Sequence, residues 1–126
     1  MPVTLDLLSR TPLSDLPETD APDLARLAQD MRACPCYQSA WIAWQASAPG
    51  VRLHAARFNG RIVGVAFVEG DCVLSLGVRA LTRGRGVGRR MVSVLAQQYP
   101  LRLSAQIHPE LATFVSACLT SLADRK

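Results

Sequence analysis

Cys72-Val73-Leu74-Ser75-Leu76-Gly77-Val78, followed at once by Arg79-Ala80-Leu81-Thr82-Arg83-Gly84-Arg85-Gly86-Val87-Gly88, decides how this chain folds. Cys72 to Val78 reads as a strand. Val87 to Tyr99 carries Val87, Met91, Val94 and Leu95 at helical spacing. Strand, glycine loop and helix in that order make an anion cradle. Glycines have no Cβ, so backbone N–H groups can turn inward and approach a ligand closely. The first turn of the helix adds N–H groups without helical partners, and its dipole favours negative charge. A diphosphate fits that description, and the arginines add charge-assisted hydrogen bonds.

The spacing excludes two common nucleotide loops. A Walker A loop needs Gly-x4-Gly-Lys-Ser/Thr, and lysine occurs only at position 126. A dinucleotide fingerprint needs Gly-x-Gly-x-x-Gly after a βαβ start, whereas these glycines fall at 84, 86 and 88. What remains is Arg-x-x-Gly-x-Gly. On these six residues alone, a solvated arginine turn ahead of an ordinary amphipathic helix stays open.

Upstream, Arg52 to Phe58 and Arg61 to Val68 flank Asn59-Gly60, the strongest two-residue hairpin signal. Glu69-Gly70-Asp71 turns into the cradle strand, which predicts an antiparallel meander. Further back, Val3 to Leu8 alternates as a first strand. Asp20 precedes Ala21-Pro22-Asp23 as an N-cap for a helix carrying Leu24, Leu27, Ala28 and Met31 inward, ended by Pro35. Tyr37 to Ala46 is a second short helix, with Trp41 and Trp44 as core or partner contacts. Downstream, Pro100 stops the cradle helix and Leu101 to Ile107 forms a further strand. Pro109 and Glu110 open a last helix with Leu111, Phe114, Val115, Cys118, Leu119 and Leu122 inward. The predicted order is β-α-α-β-β-β-α-β-α, an α+β domain with a mixed, mostly antiparallel sheet flanked by helices.

At 126 residues the chain is expected to be one domain. With 49% hydrophobic and 19% charged residues it can pack a core and is not disordered. No apolar run approaches the ~20 residues of a membrane span, and residues 1–8 do not read as a secretory signal, so the cytoplasm is the expected location. Of the 14 basic residues behind the net charge of +4, Arg79, Arg83, Arg85, Arg89 and Arg90 crowd one loop and its edges. That is a point site for a compact anion more than a stripe for nucleic acid. Cys34-Pro35-Cys36 is too tight for the usual zinc-knuckle spacing and has no histidine pair, so Cys34, Cys36, Cys72 and Cys118 read as reduced, structural thiols.

The cradle pattern and the element order together resemble the GNAT superfamily, the Gcn5-related N-acetyltransferases that bind acetyl-CoA. The resemblance implies that the strands before and after the cradle helix splay apart. The pantetheine arm would then lie along Leu76, Gly77 and Val78. The diphosphate would sit on Thr82, Arg83, Gly84, Arg85, Gly86, Val87 and Gly88, with Arg89 alongside. Glu110 to Thr113 would approach the cofactor from the last helix.

Two segments, His54-Ala55-Ala56-Arg57-Phe58-Asn59 and Leu76 to Gly88, are similar to the aspartate 1-decarboxylase maturation factors within that superfamily. These bind CoA or acetyl-CoA, promote self-cleavage of the decarboxylase proenzyme in pantothenate biosynthesis, and can inhibit the mature enzyme. The resemblance implies partner contacts at Arg57 and Asn59. Both have a second reading, Asn59 as the first residue of a type I′ turn and Arg57 as a solvent-facing strand residue. The segment Ala105 to Thr113 departs from that family, and the family's terminal strand has no counterpart before Lys126.

Acetyl transfer needs a base for the attacking amine and often an acid for the leaving thiolate. The cradle strand carries no carboxylate, and the last helix carries Phe114 where many GNAT enzymes carry tyrosine. Glu69, at a turn, and His108, just past the fifth strand, are the base candidates. His54 and Cys118 read as structural. Intrinsic acetyltransferase activity is therefore expected to be weak or absent, with catalysis on an unknown amine as the alternative.

Overall fold

The computed structural model describes residues 4–8, 20–46, 49–80, 83–84, 86–104 and 107–123. Nine elements follow in the predicted order. They are β1 (Thr4–Leu8), α1 (Asp20–Asp30), α2 (Pro35–Gln45), β2 (Val51–Phe58), β3 (Arg61–Glu69), β4 (Cys72–Val78), α3 (Val87–Gln98), β5 (Arg102–Leu103) and α4 (Pro109–Ala123). The strands form one sheet, ordered β1-β2-β3-β4-β5. The first three pairings are antiparallel and β4–β5 is parallel.

The apolar alternation of β2 and β3 buries residues on both faces, because helices cover both. Leu24 and Leu27 of α1 and Tyr37, Trp41 and Trp44 of α2 pack on Leu53, Val65 and Phe67. The two tryptophans stack, ring centres 5.8 Å apart, so they belong to the core. On the opposite face Val87, Met91 and Leu95 of α3 meet Ala66, Val68 and Leu76, with Val115 and Cys118 of α4 behind them. Each such large side chain taken from water contributes ~1.5–3 kcal/mol.

Several boundaries differ from the sequence expectation for local reasons. Pro35 opens α2 instead of closing α1, since its fixed φ suits a first helical turn. Asp20 is already helical rather than the residue before the helix. Val92 replaces Val94 as the fully buried residue, because α3 is covered by α4 as well as by the sheet. Phe114 is 39% exposed rather than inward. Of the expected strand Leu101 to Ile107, the described residues show strand at Arg102–Leu103, and Ala105 and Gln106 lie outside the described residues. The side chain of Leu122 lies outside the described residues.

The β4–β5 junction positions the site. Among the described residues β4 pairs with β5 at Cys72–Arg102 and Val73–Leu103, with Ser104 N donating to Val73 O at 3.1 Å. The register against β3 shifts at the same place, between Phe67 and Val68, leaving Leu74 as the extra residue. An inserted residue bends its strand and ends pairing locally. From Leu74 onward β4 therefore has an edge that β5 does not cover.

Candidate functional site

The open edge of β4, the loop after it, the α1–α2 turn and the start of α4 enclose a cavity of about 700 Å3. Leu76 and Val78 form its floor. The Val78 carbonyl points into the open side, where Arg83 Nε donates to it at 3.1 Å. Gly77 faces otherwise: its carbonyl lies 3.2 Å from where a Cβ on Gly64 of β3 would stand. A Cβ on Gly77 itself would come within 2.8 Å of the Tyr37 ring and 2.9 Å of Met31 Cγ. So of the three strand positions expected along a pantetheine arm, Leu76 and Val78 present themselves, and Gly77 is glycine because α2 packs against it.

The cradle forms the next wall, with Arg83, Gly84, Gly86, Val87, Gly88 and Arg89 all lining the cavity. Thr82 and Arg85 lie outside the described residues. Gly86 is the residue before α3 and has φ +82°, a left-handed conformation costly for any side chain. Arg90 N donates to Gly86 O at 3.0 Å, the first helical bond, so the N–H groups just ahead of it are left for a ligand. An added Cβ on Gly84 or Gly86 meets no protein atom within 4 Å, whereas one on Gly88 would press on the Phe114 ring at 3.1 Å. Open backbone over the cradle, a helix N-terminus and two arginines fit a diphosphate. Phe114, exposed at the rim, seals that turn against α4.

Further wall residues come from a place the sequence did not mark as part of the site. Asp30, Met31 and Cys34 reach the cavity from the α1–α2 turn. Asp30 accepts from Arg79 Nε at 2.8 Å and from Ala80 N at 3.1 Å, tying α1 to the start of the loop. The Ala80 N–H and, against some desolvation, the Arg79 guanidinium hold its carboxyl below the usual range. Met31 Sδ lies 3.4 Å from Arg83 Nη2. Nothing local distinguishes these residues, since only tertiary folding carries them to β4.

The base candidates separate. Glu69 ends β3 at the far end of the sheet, opposite Cys72 and Val51, and does not line the cavity. His108 does line it, but its Nδ1 accepts the Glu110 N–H of α4 at 3.2 Å. An imidazole used as a helix cap through Nδ1 carries its proton on Nε2 and has no lone pair to spare. Glu110 and Leu111 also reach the cavity. His54 is buried, its Nε2 3.3 Å from Tyr99 Oη, and burial with Arg52 beside it pushes its pKa down. Cys118 is core, its thiol pushed up by burial.

The hairpin residues lie apart from the cavity. Arg57 forms a two-pronged pair with the buried Asp20, at 2.8 and 2.7 Å. Asn59 sits exposed at φ +53° as the first residue of the Asn59-Gly60 turn. Arg57 is still in β2, which ends at Phe58, whereas Asn59 has left the strand for the turn, so strand alternation does not relate the two side chains.

Residues 8–122 match the family described as acetyltransferase (GNAT) domain, PanZ. Among solved structures, a ribosomal-protein-alanine N-acetyltransferase from Brucella melitensis biovar Abortus 2308 is similar, with a TM-score of 0.57 at 23% identity over 86% of this chain and 84% of that one. Apo-form YjaB from Escherichia coli is similar with a TM-score of 0.51 at 17% identity, over 82% of this chain and 71% of that one. At these identities the two likenesses speak for the fold. No curated protein matches the chain.

Proposed function

The chain belongs to the PanZ acetyltransferase (GNAT) domain family, and from that premise we propose that it is an acetyl-CoA- and CoA-binding regulator that engages aspartate 1-decarboxylase or its proenzyme when the cofactor is bound. GNAT proteins generally bind acetyl-CoA or CoA. The observation that carries the reading is the convergence, in one cavity, of an uncovered strand edge, a glycine cradle at a helix N-terminus and Arg83. The cradle N–H groups and Arg83 and Arg89 hold the diphosphate. Leu76 and Val78 offer the backbone for the amide-bearing arm. Arg83 leaves the Val78 carbonyl as it turns to phosphate, which frees that carbonyl to accept from the arm.

The cofactor supplies an activated thioester, yet the cavity is poorly equipped to use it. His108 is committed as a cap, Asp30 to Arg79 and Ala80, and Glu69 is elsewhere. General acid–base help is typically worth ~10²–10⁴ in rate; with His108 and Asp30 held in other bonds, Glu110 is the wall carboxylate through which a transferase would work. The pantothenate pathway enters through the family's name and the two matched segments. Arg57, already oriented by Asp20, and the exposed Asn59 supply the partner contact.

Proenzyme cleavage is the test. Acetyl-CoA and this protein together are expected to speed it, and neither alone; equal cleavage in every arm removes the regulator reading. The transferase alternative predicts thiol release from acetyl-CoA in an amine screen, lost in His108→Ala or Glu110→Gln.

A further inference from the structure

Two cysteines separated by one proline stand at the turn between α1 and α2, and the regulator reading leaves them unused. Cys34 lines the cavity. Its Sγ lies 3.3 Å from Cys36 Sγ, which lies 3.3 Å from Ser75 Oγ. Ser75 is fully buried on β4, three residues before Val78 and on the side away from the cradle. A CoA whose diphosphate rests on the cradle runs its arm back along β4 towards Ser75, and the arm ends in a thiol. Cys34, the thiol of the pair that lines the cavity, therefore stands on the path of the arm.

A metal does not suit the pair. Two thiolates on a tetrahedral zinc stand roughly 3.8 Å apart, given Zn–S bonds of ~2.3 Å. No group of three or more possible ligands occurs among the described residues. A disulfide needs the sulfurs at ~2.05 Å, a closure of little more than 1 Å.

We propose that Cys34 and Cys36 form a thiol–disulfide exchange site whose substrate is CoA disulfide; this rests on the CoA reading of the cavity. Cys34, losing its proton to water, attacks one sulfur of CoA disulfide. That S–S bond breaks, and one CoA leaves as a thiolate and takes up a proton. The product is a mixed disulfide between Cys34 and the CoA held in the cavity. The Cys36 thiolate then attacks the Cys34 sulfur, and the second CoA leaves as a thiol. Two protein thiols are oxidised to one disulfide, and one CoA disulfide is reduced to two thiols. Burial pushes the Cys34 thiol up, which slows attack on every disulfide alike, so selectivity comes from holding the reacting sulfur in place.

Reduced wild type, Cys34→Ser, Cys36→Ser and Cys36→Ala are each mixed with CoA disulfide or glutathione disulfide, quenched with acid and read by intact mass and peptide mapping. Wild type is expected to end with a Cys34–Cys36 bond. Both Cys36 variants are expected to accumulate CoA on Cys34, and Cys34→Ser to form neither product. Positioning predicts exchange about tenfold or more faster with CoA disulfide than with glutathione disulfide, suppressed by saturating acetyl-CoA. Equal rates without protection, or adducts on Cys72 or Cys118 instead of Cys34, overturn the proposal. Calorimetry separates it from its premise. Acetyl-CoA binding by wild type and Cys36→Ser without exchange rejects the exchange site alone, and no acetyl-CoA binding by wild type rejects both.

Discussion

At the β2–β3 hairpin, two carboxylates of α1 hold two arginines: Asp20 holds Arg57, and Asp23 holds Arg61 and the Ile62 N–H. At the other junction of the same sheet, between β4 and α3, the hydrogen-bond partners of Arg83 among the described residues are a backbone carbonyl and a thioether, with the Asp30 carboxylate near enough to feel its charge. There the strand edge runs free of β5 beyond Val73, and a side chain on Gly84 or Gly86 would meet no protein atom within 4 Å. The same residue type serves opposite ends. An arginine locked to a buried carboxylate fixes the scaffold. One resting on weak acceptors can exchange them for a phosphate at little cost. The difference supports the cradle as the proposed ligand end, and it makes Arg57 a positioned group on the hairpin.

The largest effect is expected at the cradle. Gly86→Asp adds a Cβ in a left-handed conformation, costing ~1–2 kcal/mol, and a negative charge beside the diphosphate. Calorimetry should show acetyl-CoA affinity falling by about a hundredfold or more, since each ~1.4 kcal/mol is a factor of ten. The backbone strain falls on folding, so the melting temperature should drop by several degrees while the fold persists.

The mirror-image change is Asp23→Asn. It weakens a buried hydrogen bond from Ile62 to a charged acceptor, a type worth ~1.5–3 kcal/mol. Denaturant unfolding should register a loss of that order while acetyl-CoA affinity stays within about twofold, as expected of distant independent sites. The acid side sharpens the point. Asp23, held mainly by Arg61, and Asp30, held mainly by Ala80 N–H, both titrate below the ordinary value of 3.8. Their contribution is complete above that value and is lost as pH falls through the lower folded values. Wild-type stability should drop below about pH 4, and less so in Asp23→Asn.

Smaller effects follow. Arg83→Ala removes one charge-assisted contact but also the bond that occupies the Val78 carbonyl, so binding should weaken by roughly tenfold and not more than a hundredfold. Asn59→Gly keeps a residue at ease with positive φ, and stability should stay within about 0.5 kcal/mol. Any loss of proenzyme capture in that variant would then belong to the Asn59 side chain.

What could be read from the chain was local. Asn59-Gly60 announces the hairpin because few residues accept its positive φ values. The glycine loop announces the cradle because strand, loop and helix are consecutive. The bulge at Leu74 left no mark, since its cause is the pairing of two other strands, and so the fifth strand was read too long. Asp30, Met31 and Cys34 were invisible as wall residues, because their place depends on how α1 and α2 cross β4. The same distance effect misplaced Glu69, adjacent to the cradle strand in sequence but at its opposite end in space. Phe114 was taken for core by its helical spacing; its ring instead covers Gly88 at the rim.

Amide hydrogen exchange with and without acetyl-CoA tests the contrast between the two ends most directly. The account predicts new protection at Gly86 to Arg90 and at Leu76 and Val78, with Arg57 to Ile62 unchanged. Protection at the hairpin with none at the cradle would contradict it.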